Sequence, residues 1–411
     1  MNKQKHITSL LITAIITLLN VHCVLGQEWE QVDLPEGVNA KTLCFSESSI
    51  YLGTGDGIYI SHDNCNSWEF LGLEVYNVKA IIVTSQNKLL VGATGRIFKY
   101  LGEKEWQLLY VHNEPIECFL EASNGNLYFG SWGYICRSTD GGETWNIVLA
   151  KYNTEVIRAI DENSEGLLFA GSTSFTGNVG GVYRSENNGE TWEPIGLEYH
   201  FVSSLVINSF SDIFVGTSGH YYTGSARVFK SLDNMGNSWD VVYDENYITS
   251  MCINDFNTIV ISCPSFDRSP GGIFVTYDNG DNWEDISPSF TGRYFEKVIF
   301  NNSNQIYAIS YFEYGDVFRT INPITSVSLS NNNSGISIYP NPAGDYILLK
   351  TPYLSNYALS ILDMSGNELG RSVYSCSKIN NMINISNFKK GIYIVKVSTN
   401  KIILIEKFIK Y

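Results

Sequence analysis

Ser138-Thr139-Asp140-Gly141-Gly142-Glu143-Thr144-Trp145 decides how this chain is read, because the pattern returns four more times. The other copies are SHDNCNSW at 61–68, SENNGETW at 185–192, SLDNMGNSW at 231–239 and TYDNGDNW at 276–283. They diverge at single points. Cys65 stands in place of the Gly, Asn187 in place of the Asp, Met235 occupies a one-residue insertion, and Thr276 replaces the opening Ser. A short Asp or Asn side chain accepts nearby backbone N–H groups in a tight turn, and Gly tolerates a positive φ there. Trp supplies a large ring to bury. Such chemistry holds a turn together, so these segments read as structural and not as catalytic.

The Trp ladder extends the count. Trp29, Trp68, Trp106, Trp145, Trp192, Trp239 and Trp283 are separated by 39, 38, 39, 47, 47 and 44 residues. Short strands recurring at about 40–45 residues are the mark of propeller blades. Between successive Trp residues three further runs recur, each β-branched or aromatic and bounded by turn residues. The inner one reads as in Asn77 to Ile82, the second as in Leu127-Tyr128-Phe129-Gly130 or Ile213-Phe214-Val215-Gly216, and the third as in Gly181 to Ser185. Trp then opens a fourth.

Seven such triplets begin near Lys41, Asn77, Pro115, Glu155, Phe201, Tyr247 and Tyr294, but only six are followed by a Trp strand. The last ends at Phe318-Arg319-Thr320 with no partner to follow. Trp29-Glu30-Gln31-Val32 is the spare fourth strand, and setting it beside 315–320 covers an otherwise open edge. The expectation is an all-β chain: a seven-bladed β-propeller over residues 27–322, a linker at 323–335 and a small C-terminal antiparallel β-sandwich at 336–411.

The five segments resemble the Asp-box (bacterial neuraminidase, BNR) repeat, S-x-D-x-G-x-T-W, of the sialidase, xyloglucanase and sortilin-like superfamily. The resemblance implies a propeller and offers two enzyme classes. Sialidases hold a substrate carboxylate with three Arg and attack with a Tyr activated by Glu. Their F/Y-R-I-P motif is missing; Phe318-Arg319-Thr320-Ile321 differs and lies late. Spacing alone does not assemble Arg158, Arg293 and Arg319. Xyloglucanase-type enzymes cleave between two seven-bladed propellers, and one is present here. The inner strands also resemble photosystem-assembly and sortilin-like propellers, which bind proteins or peptides without catalysis.

The flanks carry addresses. Lys3 and Lys5, the apolar run Leu10 to Leu19, and the small Gly26 read as a cleavable signal peptide, residues 1–26. At the other end stand Ile336-Ser337-Ile338-Tyr339-Pro340-Asn341-Pro342, Asp363-Met364-Ser365-Gly366, Gly391-Ile392-Tyr393 and a basic tail. This region resembles the type A sorting domain of type IX secretion. The resemblance implies a Bacteroidetes-type bacterium, the type IX machinery as partner of residues 336–411, and a protein secreted or anchored at the outer cell surface.

Charge divides the chain in the same place. Residues 27–335 carry sixteen Lys/Arg against thirty-eight Asp/Glu, and residues 336–411 carry nine against four. The acidic body excludes nucleic acid as a partner and points to neutral, cationic or cation-bridged ligands. Seven of the eight cysteines follow the signal. Cys44/Cys65, Cys118/Cys136 and Cys252/Cys263 fall as pairs within single repeat units and read as buried apolar thiols, with a disulfide framework as the alternative open to an exported chain. No HExxH, nucleophile elbow or Gly-rich phosphate loop occurs, so no cofactor and no metal is expected.

Ligands are expected where the second-to-third-strand loops lengthen, at 172–181, 217–226, 263–272 and 310–315, beside the blade-to-blade loops. The candidate residues are Trp132, Glu198, His220, Tyr221, Tyr222, Asp267, Arg268, Arg293, Tyr311 and Glu313. Aromatics beside carboxylates suit sugar stacking or cation capture, and they equally suit packing of long loops on one another. The reading is a binding propeller for a glycan, peptide or surface protein, with a glycoside hydrolase, xyloglucanase-like or sialidase-like, as the alternative.

Overall fold

A computed structural model describes residues 27–324, apart from 76, 152–153, 175–179, 221–225, 265–270, 289–293 and 311–314, together with 337–339, 346–350, 357–363, 368–374, 380–398 and 403–410. Residues 1–26, read above as a signal peptide, and most of the expected linker at 323–335 lie outside the described residues. No helix occurs among those described.

Seven four-stranded antiparallel sheets occupy residues 29–320. Their inner strands are Ala40–Phe45, Val78–Val83, Ile116–Glu121, Glu155–Glu162, His200–Ile207, Ser250–Ile253 and Phe295–Phe300, which open sheets one to seven. Sheets one to six each use four consecutive strands. Sheet seven takes three from residues 295–320 and its fourth from Trp29–Val32, with Trp29 opposite Thr320, Gln31 opposite Phe318 and Val32 opposite Val317. The spare strand identified by arithmetic is therefore paired where expected.

The second strands are buried on both faces, which explains their nearly unbroken apolar runs, whereas the fourth strands are largely exposed. In sheet three, Leu127 and Phe129 face a cluster shared with sheet two, whereas Tyr128 between them faces one shared with sheet four. The pattern repeats through seven apolar clusters, each drawn from two consecutive sheets. The seventh joins Tyr307, Ile309 and Val317 of sheet seven to Leu43 and Leu52 of sheet one. Polar contacts follow the same seam: Lys297 Nζ donates to Thr42 Oγ1 at 2.7 Å, and Tyr307 OH donates to Asn64 Oδ1 at 3.2 Å.

Close approach of the sheets has a residue-level cause. A Cβ on Gly130 would lie 2.7 Å from the Ile157 side chain of the next sheet, and one on Gly171 would lie 2.4 Å from Val202. Each second strand of sheets one to five carries a Gly at this point, so the following inner strand can seat against bare backbone.

The Trp-ending turns join third to fourth strands in five sheets. Ser138 Oγ donates to Asp140 Oδ1 at 2.7 Å and accepts Gly142 N–H at 2.8 Å. Asp140 also accepts the Thr144 hydroxyl at 2.5 Å and the Thr144 N–H at 2.9 Å. These bonds, the Thr144 hydroxyl foremost, hold the Asp140 carboxyl down at about 2. The copies at 61–68, 185–192 and 276–283 repeat the geometry. In the copy with the Met235 insertion, Ser231 Oγ instead accepts Ile213 N–H at 3.0 Å. Several Trp rings stitch sheets together: the Nε1 groups of Trp68, Trp106 and Trp283 donate to Asp33, Leu71 and Val242 carbonyls of the preceding sheet or its exit, at 3.1, 2.8 and 3.0 Å.

The six described cysteines are free thiols. Burial pushes Cys44 and Cys65 up to about 11, and Cys118 and Cys136 up to about 12. In the C-terminal region, Ser337–Tyr339, Tyr346–Lys350 and Asn380–Asn384 form one antiparallel sheet. Tyr357–Asp363, Glu368–Tyr374, Gly391–Ser398 and Ile403–Lys410 form another. Alternation sets its buried face, through Leu359 and Ile361, then Tyr393, Val395 and Val397.

Two outcomes follow for stability. Trp145 is 7% exposed among Phe129, Ile116 and Leu127. Trp145→Ala is expected to cost about 3–5 kcal/mol in denaturant unfolding, as a large-to-small core change. Asp161 accepts backbone N–H groups from Glu162 and, across to sheet five, Ile207, at 2.8 and 2.9 Å. Burial nevertheless raises its carboxyl from 3.8 to about 7. The folded state thus holds this proton more tightly than the unfolded chain, and stability from this group is lost as pH rises from about 4 to about 7. Asp161→Asn keeps an acceptor for Ile207 N–H and removes the titration. Unfolding midpoints measured across that range are expected to fall less steeply in the variant than in the parent.

Candidate binding site

Six inner strands carry a register irregularity at the same place, between residues 40/42, 78/80, 116/118, 157/159, 202/204 and 295/297. A bulge leaves one residue outside the ladder and re-aims its side chain. Those residues are Lys41, Lys79, Glu117, Arg158, Ser203 and Glu296. In sheet six Thr249 takes the corresponding position just before its inner strand. All seven line a single cavity of about 960 Å³, to which every sheet contributes. Thr173, Ser174 and Ser218, at the ends of second strands, also line it. The cavity therefore reaches the end of the sheets from which the second-to-third connections leave.

The charges of this lining are arranged unevenly. Glu117, its side chain 5% exposed, lies between Lys79 Nζ at 3.0 Å and Arg158 NH1 at 2.7 Å. It also accepts Trp132 Nε1–H at 3.2 Å. Lys297 donates to the Thr42 hydroxyl, and burial holds its ammonium below the usual lysine range against the opposing pull of Glu296. Lys41 is half-buried and has no ion-pair partner among the described residues. Four cations and two carboxylates line the cavity, Lys41, Lys79, Arg158 and Lys297 against Glu117 and Glu296. The sign is the reverse of the acidic body. The sequence total misled here because most carboxylates lie outside this lining, while three of the six bulges place a basic residue in it and Lys297 adds a fourth.

Of the ten expected ligand residues, Trp132 is joined to this lining. It follows the second strand Leu127–Ser131, bridges to Val156, is 37% exposed and reaches Glu117. Glu198 is exposed in the turn between sheets four and five. His220 closes a second strand opposite His200 in register. Tyr221, Tyr222, Asp267, Arg268, Arg293, Tyr311 and Glu313 lie outside the described residues. Arg158 and Arg319 are not brought together: Arg319 Nε donates to Glu30 Oε1 at 2.6 Å, and NH1 reaches the Asn64 carbonyl in the turn of sheet one. A hydrogen-bonded Tyr–Glu pair exists, Tyr183 OH to Glu155 at 2.9 Å, but these residues are only 2% and 1% exposed. No substrate reaches that hydroxyl, which is a structural partner for the carboxylate. Among the described residues no group of three or more His, Cys, Asp or Glu is placed to hold a metal.

The basic lining was missed although a pattern carries it. Aligned on inner strands, the repeats read Lys41-Thr42-Leu43, Lys79-Ala80-Ile81, Glu117-Cys118-Phe119, Arg158-Ala159-Ile160, Ser203-Ser204-Leu205, Thr249-Ser250-Met251 and Glu296-Lys297-Val298. A polar residue precedes a small one and a large apolar one, with Lys297 the exception to smallness. Aligning on Trp hides this, because the distance from Trp to inner strand varies.

Residues 337–411 match the family described as secretion system C-terminal sorting domain. No curated protein matches the chain. Several solved structures resemble it. PorZ, described as an essential bacterial surface component of the type-IX secretion system of Porphyromonas gingivalis, aligns with TM-score 0.54 at 13% identity over 92% of this chain and 60% of its own. A GH74 xyloglucanase from Xanthomonas campestris aligns with TM-score 0.56 at 12% identity, over 79% of this chain and 59% of its own. A virginiamycin B lyase from Staphylococcus aureus aligns with TM-score 0.57 at 11% identity, over 71% and 98%. The chain thus spans about three fifths of the first two, and at such identities the likeness is one of fold alone. The C-terminal match marks the chain for export by type IX secretion, with release or attachment at the cell surface. Deleting residues 337–411 is expected to leave the protein inside the cell envelope, as read by fractionation and immunoblotting; unchanged release would contradict the sorting role.

Proposed function

We propose that this protein is a non-catalytic binding propeller, secreted or displayed at the cell surface, which recognises a glycan, peptide or surface protein at the mouth of its cavity. The observation that carries this reading is the cavity itself: about 960 Å³, lined by the inner strands of all seven sheets, with an exposed indole, Trp132, hydrogen-bonded at its edge. A concave site with a few convergent polar groups is the usual form of a ligand site.

The wider architecture is part of the proposal. Residues 27–322 form a closed seven-bladed propeller of Asp-box repeats, supported by the pairing of Trp29–Val32 with sheet seven and by the apolar cluster shared between sheets seven and one. Residues 1–26 are its signal peptide, 323–335 a linker and 336–411 its sorting domain, in a Bacteroidetes-type bacterium. Trp132 and Glu198, with His220, Tyr221, Tyr222, Asp267, Arg268, Arg293, Tyr311 and Glu313, are the proposed contact residues.

A glycoside hydrolase is the second reading, favoured by the presence of two carboxylates, Glu117 and Glu296, in one cavity. Against it, Glu117 already engages Lys79, Arg158 and Trp132. The purified full-length secreted chain separates the two readings on a panel of polysaccharides and sialosides. Saturable binding without turnover, weakened by Trp132→Ala, is expected. Turnover abolished by Glu296→Gln would establish the hydrolase instead.

A further inference from the structure

We propose that the cavity takes an anionic group carried on a polyhydroxylated ring, a sugar acid or a sugar phosphate. This inference rests on the binding reading above and adds the chemistry of the ligand.

Charge is the first argument. The Glu117 cluster leaves one positive charge uncompensated between Lys79 and Arg158, since a single carboxylate serves both. Lys41 and Lys297 form no ion pair among the described residues; Lys297 donates to one hydroxyl and feels Glu296 only beyond ion-pair distance. Partly buried cations without counterions are costly, and an anion entering the cavity relieves that cost at several of them together. The acidic exterior does not cancel this attraction. Charges are screened over about 8 Å at physiological salt, so distant carboxylates act weakly inside while the lining acts at contact.

Hydroxyls are the second argument. Thr42, Thr173, Ser203, Ser218, Thr249 and Ser250 face the same space. Thr173, Ser203, Ser218, Thr249 and Ser250 already donate their protons to the Val202, Ile248, Phe201, Phe295 and Val298 carbonyls, so what they keep for a ligand is acceptor lone pairs, the complement of a polyol's hydroxyl hydrogens. The third is Trp132, 37% exposed and hydrogen-bonded to Glu117 at the edge of the cation cluster, an aromatic residue of the kind that sugar sites use. An inorganic anion would use the cations alone; the three features together select an acidic carbohydrate.

Calorimetric titration of the full-length secreted chain with trigalacturonate, galactotriose and glucose 6-phosphate tests the proposal. One or both acidic probes are expected to bind at least roughly tenfold more tightly than neutral galactotriose, and to weaken as salt is raised. Binding of trigalacturonate alone selects the carboxylate, and binding of glucose 6-phosphate alone selects the phosphate. Lys41→Gln, with an unchanged unfolding midpoint, is expected to weaken the acidic probe by roughly tenfold, and Glu296→Gln, on an exposed side chain, to tighten it. Failure of all three probes to bind overturns the inference, as does indifference of affinity to both variants. Galactotriose bound as tightly as the acids, and lost in Trp132→Ala, sinks the anion while leaving the binding reading intact. Hydrolysis of a probe sinks the binding reading, and the two charge variants still report whether the sign of the ligand matters.

Discussion

The pairing of Trp29–Val32 with Val317–Thr320 is the constraint on which the seven propeller-like sheets depend. Without it the third strand of sheet seven would present unpaired N–H and C=O groups along an open edge. Trp29 would also leave the cluster it shares with Phe295, Phe318 and Ile286, and its indole N–H would lose the Ile286 carbonyl at 2.6 Å. Arg319 extends the same junction, bonding Glu30 on the added strand and the Asn64 carbonyl in the turn of sheet one. Three regions distant in sequence therefore meet at one seam.

Much of this was legible because strands buried on both faces cannot hide. Leu127-Tyr128-Phe129-Gly130 is apolar at each position since alternate residues serve different neighbours, and its Gly marks where Ile157 of the next sheet arrives. The turn at 138–145 was legible for another reason: its hydrogen bonds are local, so residue identity and spacing specify them directly. The inner strands began where the runs indicated, except in sheet six, where the ladder opens at Ser250 and not at Tyr247.

The site was legible only where a residue broke a pattern. Trp132 drew notice because it stands off the Trp ladder, and it proves to touch the cavity lining. Lys41, Lys79 and Arg158 kept to a pattern, one set by bulges, and bulges depend on how neighbouring strands pair across the sheet; Lys297 lies one residue past such a bulge. Net charge concealed them further, since a total of −15 carries no position. Local composition where the inner strands begin, and not the sum, sets the charge of the cavity lining.

The seam has a kinetic meaning as well. Bonds such as those of Arg319 to Glu30 and Gln27 to the Asn322 carbonyl span 289 and 295 residues. Contacts of such separation form late, after the intervening chain has ordered, because closing so large a loop costs entropy before any contact repays it. Each of sheets one to six can assemble from neighbouring segments as the polypeptide emerges, whereas the leading strand must wait, unpaired, for the seventh. A chain interrupted anywhere before residue 317 has nothing for that strand to join, so completion of the whole body is registered by a single late docking event at its two ends.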